Sequence, residues 1–293
     1  MFGDRFTLST VDTPDCSLSV RHGGEGPPVL LLHGYPQTHA MWHAVAPTLA
    51  ERFHVICPDL RGYGESAKPP TDADHTPYSK RAMAADMVAL MAHFGHETFA
   101  VAGHDRGARV THRLALDHPE RISRACVMDI TPTLHMFETT DQHFASGYYH
   151  WFFLIQPDGL PETLIGRDPG WYLSEKLRRA AAPGYTHDRD AMAHYQACFA
   201  NPDTVHASCE DYRAAASIDL VHDRTSRDAG ERVRCPLLVL WGEQGFVHRS
   251  YDVPAVWANY ADDITCESLN TGHYVPEEDP AGTLRALDEF LDS

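Results

Sequence analysis

A series of short, uniformly apolar runs, each followed by a helix-like stretch, constrains this chain more than any other feature. Val29-Leu30-Leu31-Leu32 is one such run; residues 53–57, 99–102 and 125–128 form three more, and 237–241 and 264–269 come late. A strand with one wet face alternates apolar and polar residues, whereas a run that is apolar throughout belongs to a strand covered on both faces. Helical spacing at residues 81–94 and 109–116 supplies covering layers. Residues 5–10 and 16–22 alternate instead (Phe6, Leu8; Leu18, Val20), as two paired antiparallel strands would. The pattern predicts an α/β architecture: an eight-stranded, mostly parallel sheet with helices on both faces.

Between about residues 131 and 229 the alternation stops. That stretch is rich in aromatics, Pro and His, and its periodic portions, 171–181, 189–200 and 204–216, predict short helices. We therefore expect a core domain made of residues 1–130 and 230–293, with an all-helical segment, 131–229, inserted after the sixth strand.

Charge narrows the partners. A formal net charge of −17 argues against nucleic acid or an anionic membrane surface, both of which need a basic face. A small anion could still be held, but only by locally clustered Arg. The seven Cys (16, 57, 126, 198, 209, 235 and 266) are scattered without a CxxC, which predicts reduced, mostly buried thiols in a cytoplasmic protein. The first residues lack a signal pattern, and no apolar run approaches the ~20 residues that span a bilayer. There is no HExxH, and His39 and His43 have no obvious third ligand, so neither a metal nor any other cofactor is expected.

Gly103-His104-Asp105-Arg106-Gly107 falls between the apolar run ending at Ala102 and a helical stretch. A plain strand–helix turn could contain two glycines. His33-Gly34 after the third strand and Gly272-His273 near the end favour a nucleophile elbow, with Asp105 as the nucleophile. A carboxylate needs no base to ionise at neutral pH and can displace a leaving group from an sp³ carbon, giving an ester on Asp105. Serine-type acyl transfer is excluded; halide or epoxide oxygen remains as the leaving group. Hydrolysis of the ester needs a base, for which His273 is the candidate, and an orienting acid. The loop after the seventh strand, Trp241-Gly242-Glu243-Gln244, has no Asp, so Asp129, closing Cys126-Val127-Met128-Asp129, is expected to serve, with Glu243 as rival. Backbone N–H groups of Tyr35 and Arg106 would form the oxyanion hole. The segment Asp59–Ser66 reads as a structural loop.

Arg106 and Arg109, three apart at a helix start, share one face close to Asp105. One solvated and one structural Arg is the bland alternative. As a pair they would offset the repulsion between an anionic nucleophile and an anionic substrate and would orient its carboxylate.

With these residues in hand, the sequence resembles the fluoroacetate (haloacetate) dehalogenases of the α/β-hydrolase superfamily over essentially its whole length. The resemblance runs through the elbow, residues 103–109, through Tyr148-Tyr149-His150-Trp151-Phe152-Phe153, and through Glu210-Asp211-Tyr212-Arg213-Ala214-Ala215-Ala216. It implies the α/β-hydrolase fold with residues 131–229 as a cap, a homodimer, and a small anionic haloacid as substrate. It also implies Asp105 attack, a carboxylate held by Arg106 and Arg109, halide received by His150, Trp151 and Tyr212, and hydrolysis driven by His273 and Asp129. Three N–H or O–H donors suit fluoride, a small and strongly hydrated leaving group. An aromatic packing cluster is the alternative for residues 148–153. Epoxide hydrolysis, using Tyr148 or Tyr149 with Tyr212 as proton donors, is the alternative activity, and a non-catalytic ligand receptor a further one. The small residues at 180–182 predict a roomy pocket open to 2-substituted haloacids.

Overall fold

A computed structural model describes residues 1–292. Its strands are β1 (Phe6–Asp12), β2 (Ser17–Gly23), β3 (Pro28–Leu32), β4 (His54–Pro58), β5 (Phe99–His104), β6 (Ile122–Met128), β7 (Leu237–Gly242) and β8 (Ile264–Leu269). They form one sheet in the order β1-β2-β4-β3-β5-β6-β7-β8. The β1–β2 and β2–β4 pairings are antiparallel, and every later pairing is parallel. The expected architecture is the one found.

Burial follows the sequence pattern. Every residue of β5 and β7 is buried, whereas β1 and β8, at the sheet edges, mix buried and exposed positions. In β3, Val29 to Leu32 are almost wholly inaccessible; burying each such side chain stabilises the fold by about 1.5–3 kcal/mol. Two strands are longer than their apolar runs. β5 continues through Gly103 and His104, and β6 begins at Ile122 because the ladder pairs Phe99 with Ile122 and Ala100 with Arg124. Hydrogen bonding, not hydropathy, sets those ends.

The strand order also places a crevice. From β3 the chain moves outward to β4, then returns to lay β5 on the other side of β3. Connections leaving β3 and β5 therefore diverge, and such a switch point is where open α/β sheets bind ligands. Leu32 and Gly103 are in register there, so His33-Gly34-Tyr35 and Asp105 emerge side by side.

Between β6 and β7 the described residues hold eight helices and no strand. Six-residue helices such as Thr133–Glu138, Gln142–Gly147, Tyr149–Leu154 and Leu160–Ile165 are too short to register as periodicity. Three of the four longer ones start at side-chain caps, Asp168 for Pro169–Ala180, Asp188 for Arg189–Phe199 and Asn201 for Pro202–Ala215, whereas Ile218–Asp228 has none. Among the described residues all seven cysteines are free, no group of side chains could hold a metal ion, and no helix is long and apolar enough to cross a membrane.

Candidate active site

Asp105 joins β5 to the helix Arg106–Asp117 in a backbone conformation, φ 46° and ψ −110°, that belongs to neither element. The positive φ is uncommon for a residue with a side chain and is held here by dense surroundings. A Cβ on Gly107 would lie 2.5 Å from the His33 carbonyl oxygen, and one on Gly34 would lie 2.6 Å from Asp105 Cβ, so neither position tolerates a larger residue. Tyr35 N–H donates to Asp105 Oδ2 at 3.0 Å. Arg106 opens the helix, so its own N–H has no partner within it. Burial opposes the charge on Asp105, but the fields of His273, Arg106, His104 and Arg109 hold its carboxyl below the usual carboxylate range.

His273 Nδ1 meets Asp129 Oδ2 at 2.6 Å. A carboxylate can only accept here, so Nδ1 donates to Asp129 and Nε2 is the ring nitrogen left free of that contact. Asp129, at φ 51° beyond the end of β6, also accepts from Gly242 N–H at 3.1 Å through Oδ1. Glu243, by contrast, is exposed and accepts from Ser268 Oγ at 2.8 Å, away from His273. Two contacts fix the His273 backbone. Its carbonyl accepts from His104 Nε2 at 2.7 Å, and its N–H donates to the Ala180 carbonyl at 2.9 Å. Glu278 Oε2 accepts from both Gly272 N–H and Ala182 N–H, at 2.6 and 2.9 Å, so the histidine loop and the end of the helix Pro169–Ala180 share one hydrogen-bonded seam.

The two arginines differ. Arg106 is fully buried and bidentate on Asp211, its Nε and Nη2 each 2.8 Å from a carboxylate oxygen; only Nη1 lacks a partner. Asp211 also accepts from Tyr63 Oη at 2.6 Å and forms an ion pair with Lys80. Arg109 has no acidic partner among the described residues. Its Nη1 donates to the Thr131 carbonyl and Thr133 Oγ1, and its Nε has no partner. Asp211 lay inside a segment already singled out by resemblance, but nothing in its spacing reveals that it pairs with Arg106.

His150, Trp151 and Tyr212 are brought together as one aromatic wall. Tyr212 lies 5.7 Å from His150 and 6.3 Å from Trp151, ring to ring, and His150 stacks parallel to Tyr35. Arg106 sits 4.2 Å over the Tyr212 ring and Arg109 4.6 Å over the Trp151 ring. The Tyr212 hydroxyl is buried without a hydrogen-bond partner. Burial, aided by Lys176, drives the His150 pKa well down, so its imidazole is neutral with one N–H to donate. A cavity of about 420 Å³ is lined by Asp105, His150 and His273, with Ala180, Ala181 and Pro183 along one side; of the aromatic wall only His150 is on its lining, and Trp151, Tyr212, Arg106 and Arg109 lie behind it. Lys176, a residue the sequence pattern treats as one more helix cation, lines it too.

Comparison with known proteins gives a consistent result. A family model for the α/β-hydrolase fold matches residues 27–280. A fluoroacetate dehalogenase from Burkholderia sp. is 43% identical over 287 residues, covering 98% of this chain and 94% of that protein. A soluble epoxide hydrolase from Corynebacterium sp. is 32% identical over 262 residues, covering 88% and 87%. Among solved structures, a protein from Nostoc sp. PCC 7120 provisionally assigned as an α/β hydrolase shares 52% identity and a TM-score of 0.97 over 99% of both chains.

Proposed function

Because this chain belongs to the fluoroacetate dehalogenase family of the α/β-hydrolase superfamily, we propose that it hydrolyses the carbon–halogen bond of a small 2-haloacid, fluoroacetate above all. One observation carries the reading. Beside a buried, ionised Asp105 stand two buried arginines with donors to spare, Arg106 Nη1 and Arg109 Nε. A neutral substrate has no use for them; a carboxylate does.

The chemistry follows from the hydrogen bonds. Tyr35 N–H holds Oδ2, so Oδ1 is the attacking oxygen. It displaces halide from the α-carbon, forming an O–C bond as the C–X bond breaks, while His150, Trp151 and Tyr212 donate to the departing anion. The ester carbonyl oxygen, Oδ2, then lies against Tyr35 N–H and near Arg106 N–H. His273 Nε2 takes a proton from water, which attacks the Asp105 carboxyl carbon, and Asp129 stabilises the imidazolium through Nδ1. Collapse of the tetrahedral intermediate breaks the bond from the Asp105 carboxyl carbon to the alkyl oxygen, which takes the proton held by His273 and leaves as the hydroxyacid, and the restored Asp105 carboxyl releases its proton to solvent. No cofactor enters.

A fluoride-electrode assay with fluoroacetate, run beside chloroacetate, tests the activity. His273→Asn enzyme should stall as the ester, and its mass spectrum should show Asp105 carrying a carboxymethyl group; unmodified Asp105 overturns the mechanism. Epoxide hydrolysis is the second reading, because the unpartnered Tyr212 hydroxyl could equally protonate an opening epoxide oxygen. Diol formation from styrene oxide with no halide released from any haloacid would select it.

A further inference from the structure

Lys176 lies in the helix Pro169–Ala180 and lines the same cavity as Asp105. It is only 9% exposed, yet its ammonium makes no ion pair and no hydrogen bond among the described residues. The other charged and titratable groups on that cavity are Asp105 and His273 from the core, Tyr148, Tyr149 and His150 around one helix, and two arginines. Arg179 is occupied by Glu175 at 2.6 Å, and Arg249 donates to the Gln244 carbonyl at 2.7 Å; both are at the solvent side. Lys176 is therefore the cavity's buried and unpaired cation. Its ammonium is left to whatever enters the cavity, and a largely buried cation gains from an anion that comes to meet it.

The charges behind the cavity show what that anion is. Of the buried carboxylates, Asp211 and Asp219 are paired with Lys80, and Asp211 also with Arg106, while Asp105 lies in the fields of Arg106 and Arg109 and Asp129 meets His273. Arg106 keeps a free donor in Nη1, but its charge and that of Lys80 are offset by Asp211 and Asp219. Arg109 has no carboxylate partner of its own and acts on Asp105 through its field alone, so Lys176 is the further cation that an incoming carboxylate meets at the cavity. We propose that Lys176 is a specificity-determining residue of this enzyme, the cation that makes the entrance to Asp105 attractive to an anionic haloacid. The inference rests on the haloacid reading above.

Burial also pulls the Lys176 ammonium down to about 8, with Asp105 working in the opposite direction. Its charge, and the attraction, is thus present below that pH and lost above it.

The test is halide release from chloroacetate across the neutral and alkaline range by wild type, Lys176→Met and Lys176→Arg. Wild-type kcat/KM should fall roughly tenfold above pH 8, the lower end of what a charged cleft contributes to association. Lys176→Met should sit at the lower level at every pH, with kcat changed less than KM. Lys176→Arg should keep the high value and lose the alkaline fall, because guanidinium stays charged. Wild-type kcat/KM in the Met variant, or an unchanged alkaline fall in the Arg variant, overturns the proposal. Equal losses of kcat and kcat/KM in both variants would make Lys176 a packing residue and overturn it too. Absence of halide release by wild type from any haloacid defeats the haloacid reading itself, is seen before a variant is compared, and takes this inference with it.

Discussion

The two halves of the site are finished to different degrees. On the sheet side, Asp105 accepts from Tyr35, Asp129 from His273 and Gly242, and the His273 backbone is held at both its N–H and its carbonyl. On the side of the inserted helices, the Tyr212 hydroxyl has no partner and Lys176 has no counter-ion; the arginine donors that face it, Arg106 Nη1 and Arg109 Nε, are equally unspent. Groups that move bonds are preorganised, which costs nothing further at the moment of reaction. The groups proposed to recognise substrate keep free donors, and an unsatisfied buried donor such as the Tyr212 hydroxyl is a free-energy debt that an entering anion would settle. The contrast teaches that chemistry and selectivity are built from opposite states of hydrogen bonding.

Substitutions can break or sharpen this contrast. The largest effect is expected for Asp105→Asn, which removes the nucleophile: halide release should fall by at least about 10⁴-fold, with the fold intact by circular dichroism. Asp129→Asn leaves His273 without its orienting acceptor and should lower kcat on the order of 10³-fold, with ester accumulating on Asp105 in a mass spectrum. Asp211→Asn strands Arg106 and Lys80 as buried charges and should cost about 3–5 kcal/mol in denaturant unfolding. Arg106 and Lys80 hold the Asp211 carboxyl below its usual range against the cost of burial. Its contribution to stability is therefore full above the ordinary carboxylate value of about 3.9 and is lost as pH falls below it. The acid limb of a stability–pH curve should flatten in Asp211→Asn; an unchanged limb would show that other carboxylates govern it. Tyr212→Phe removes one donor to the halide and should slow fluoroacetate on the order of 10²-fold and chloroacetate less. Equal losses on both acids would place Tyr212 outside leaving-group stabilisation. The smallest effect is expected for Ala180→Trp, which fills the cavity wall. Turnover of 2-chloropropionate should fall several-fold relative to chloroacetate, and an unchanged ratio would show that this wall does not bound the substrate.

Much of this was legible in the sequence because two physical signals are local. Full burial of a strand writes itself as an unbroken apolar run, and a tight strand-to-helix turn writes itself as glycines around Asp105. The family resemblance extended that reading to His150, Trp151 and Tyr212, whose residue types could also be packing. Contacts between distant segments left no such mark. Asp211 reaches Arg106 across 105 residues, and the seam from Glu278 to Ala182 spans 96. Lys176 was hidden differently: in Glu175-Lys176-Leu177-Arg178-Arg179 it reads as one of several cations on a solvated helix face. Only the fold turns that one inward, while Arg178 and Arg179 remain exposed.

The seam joining the histidine loop to the inserted helices couples two parts of the site. The Ala180 carbonyl receives the His273 N–H, and Ala182 shares Glu278 with Gly272. The wall that bounds the cavity and the proposed base are thereby one hydrogen-bonded unit: the contacts that place His273 also place Ala180 and Ala182, so a change in either is felt by the other.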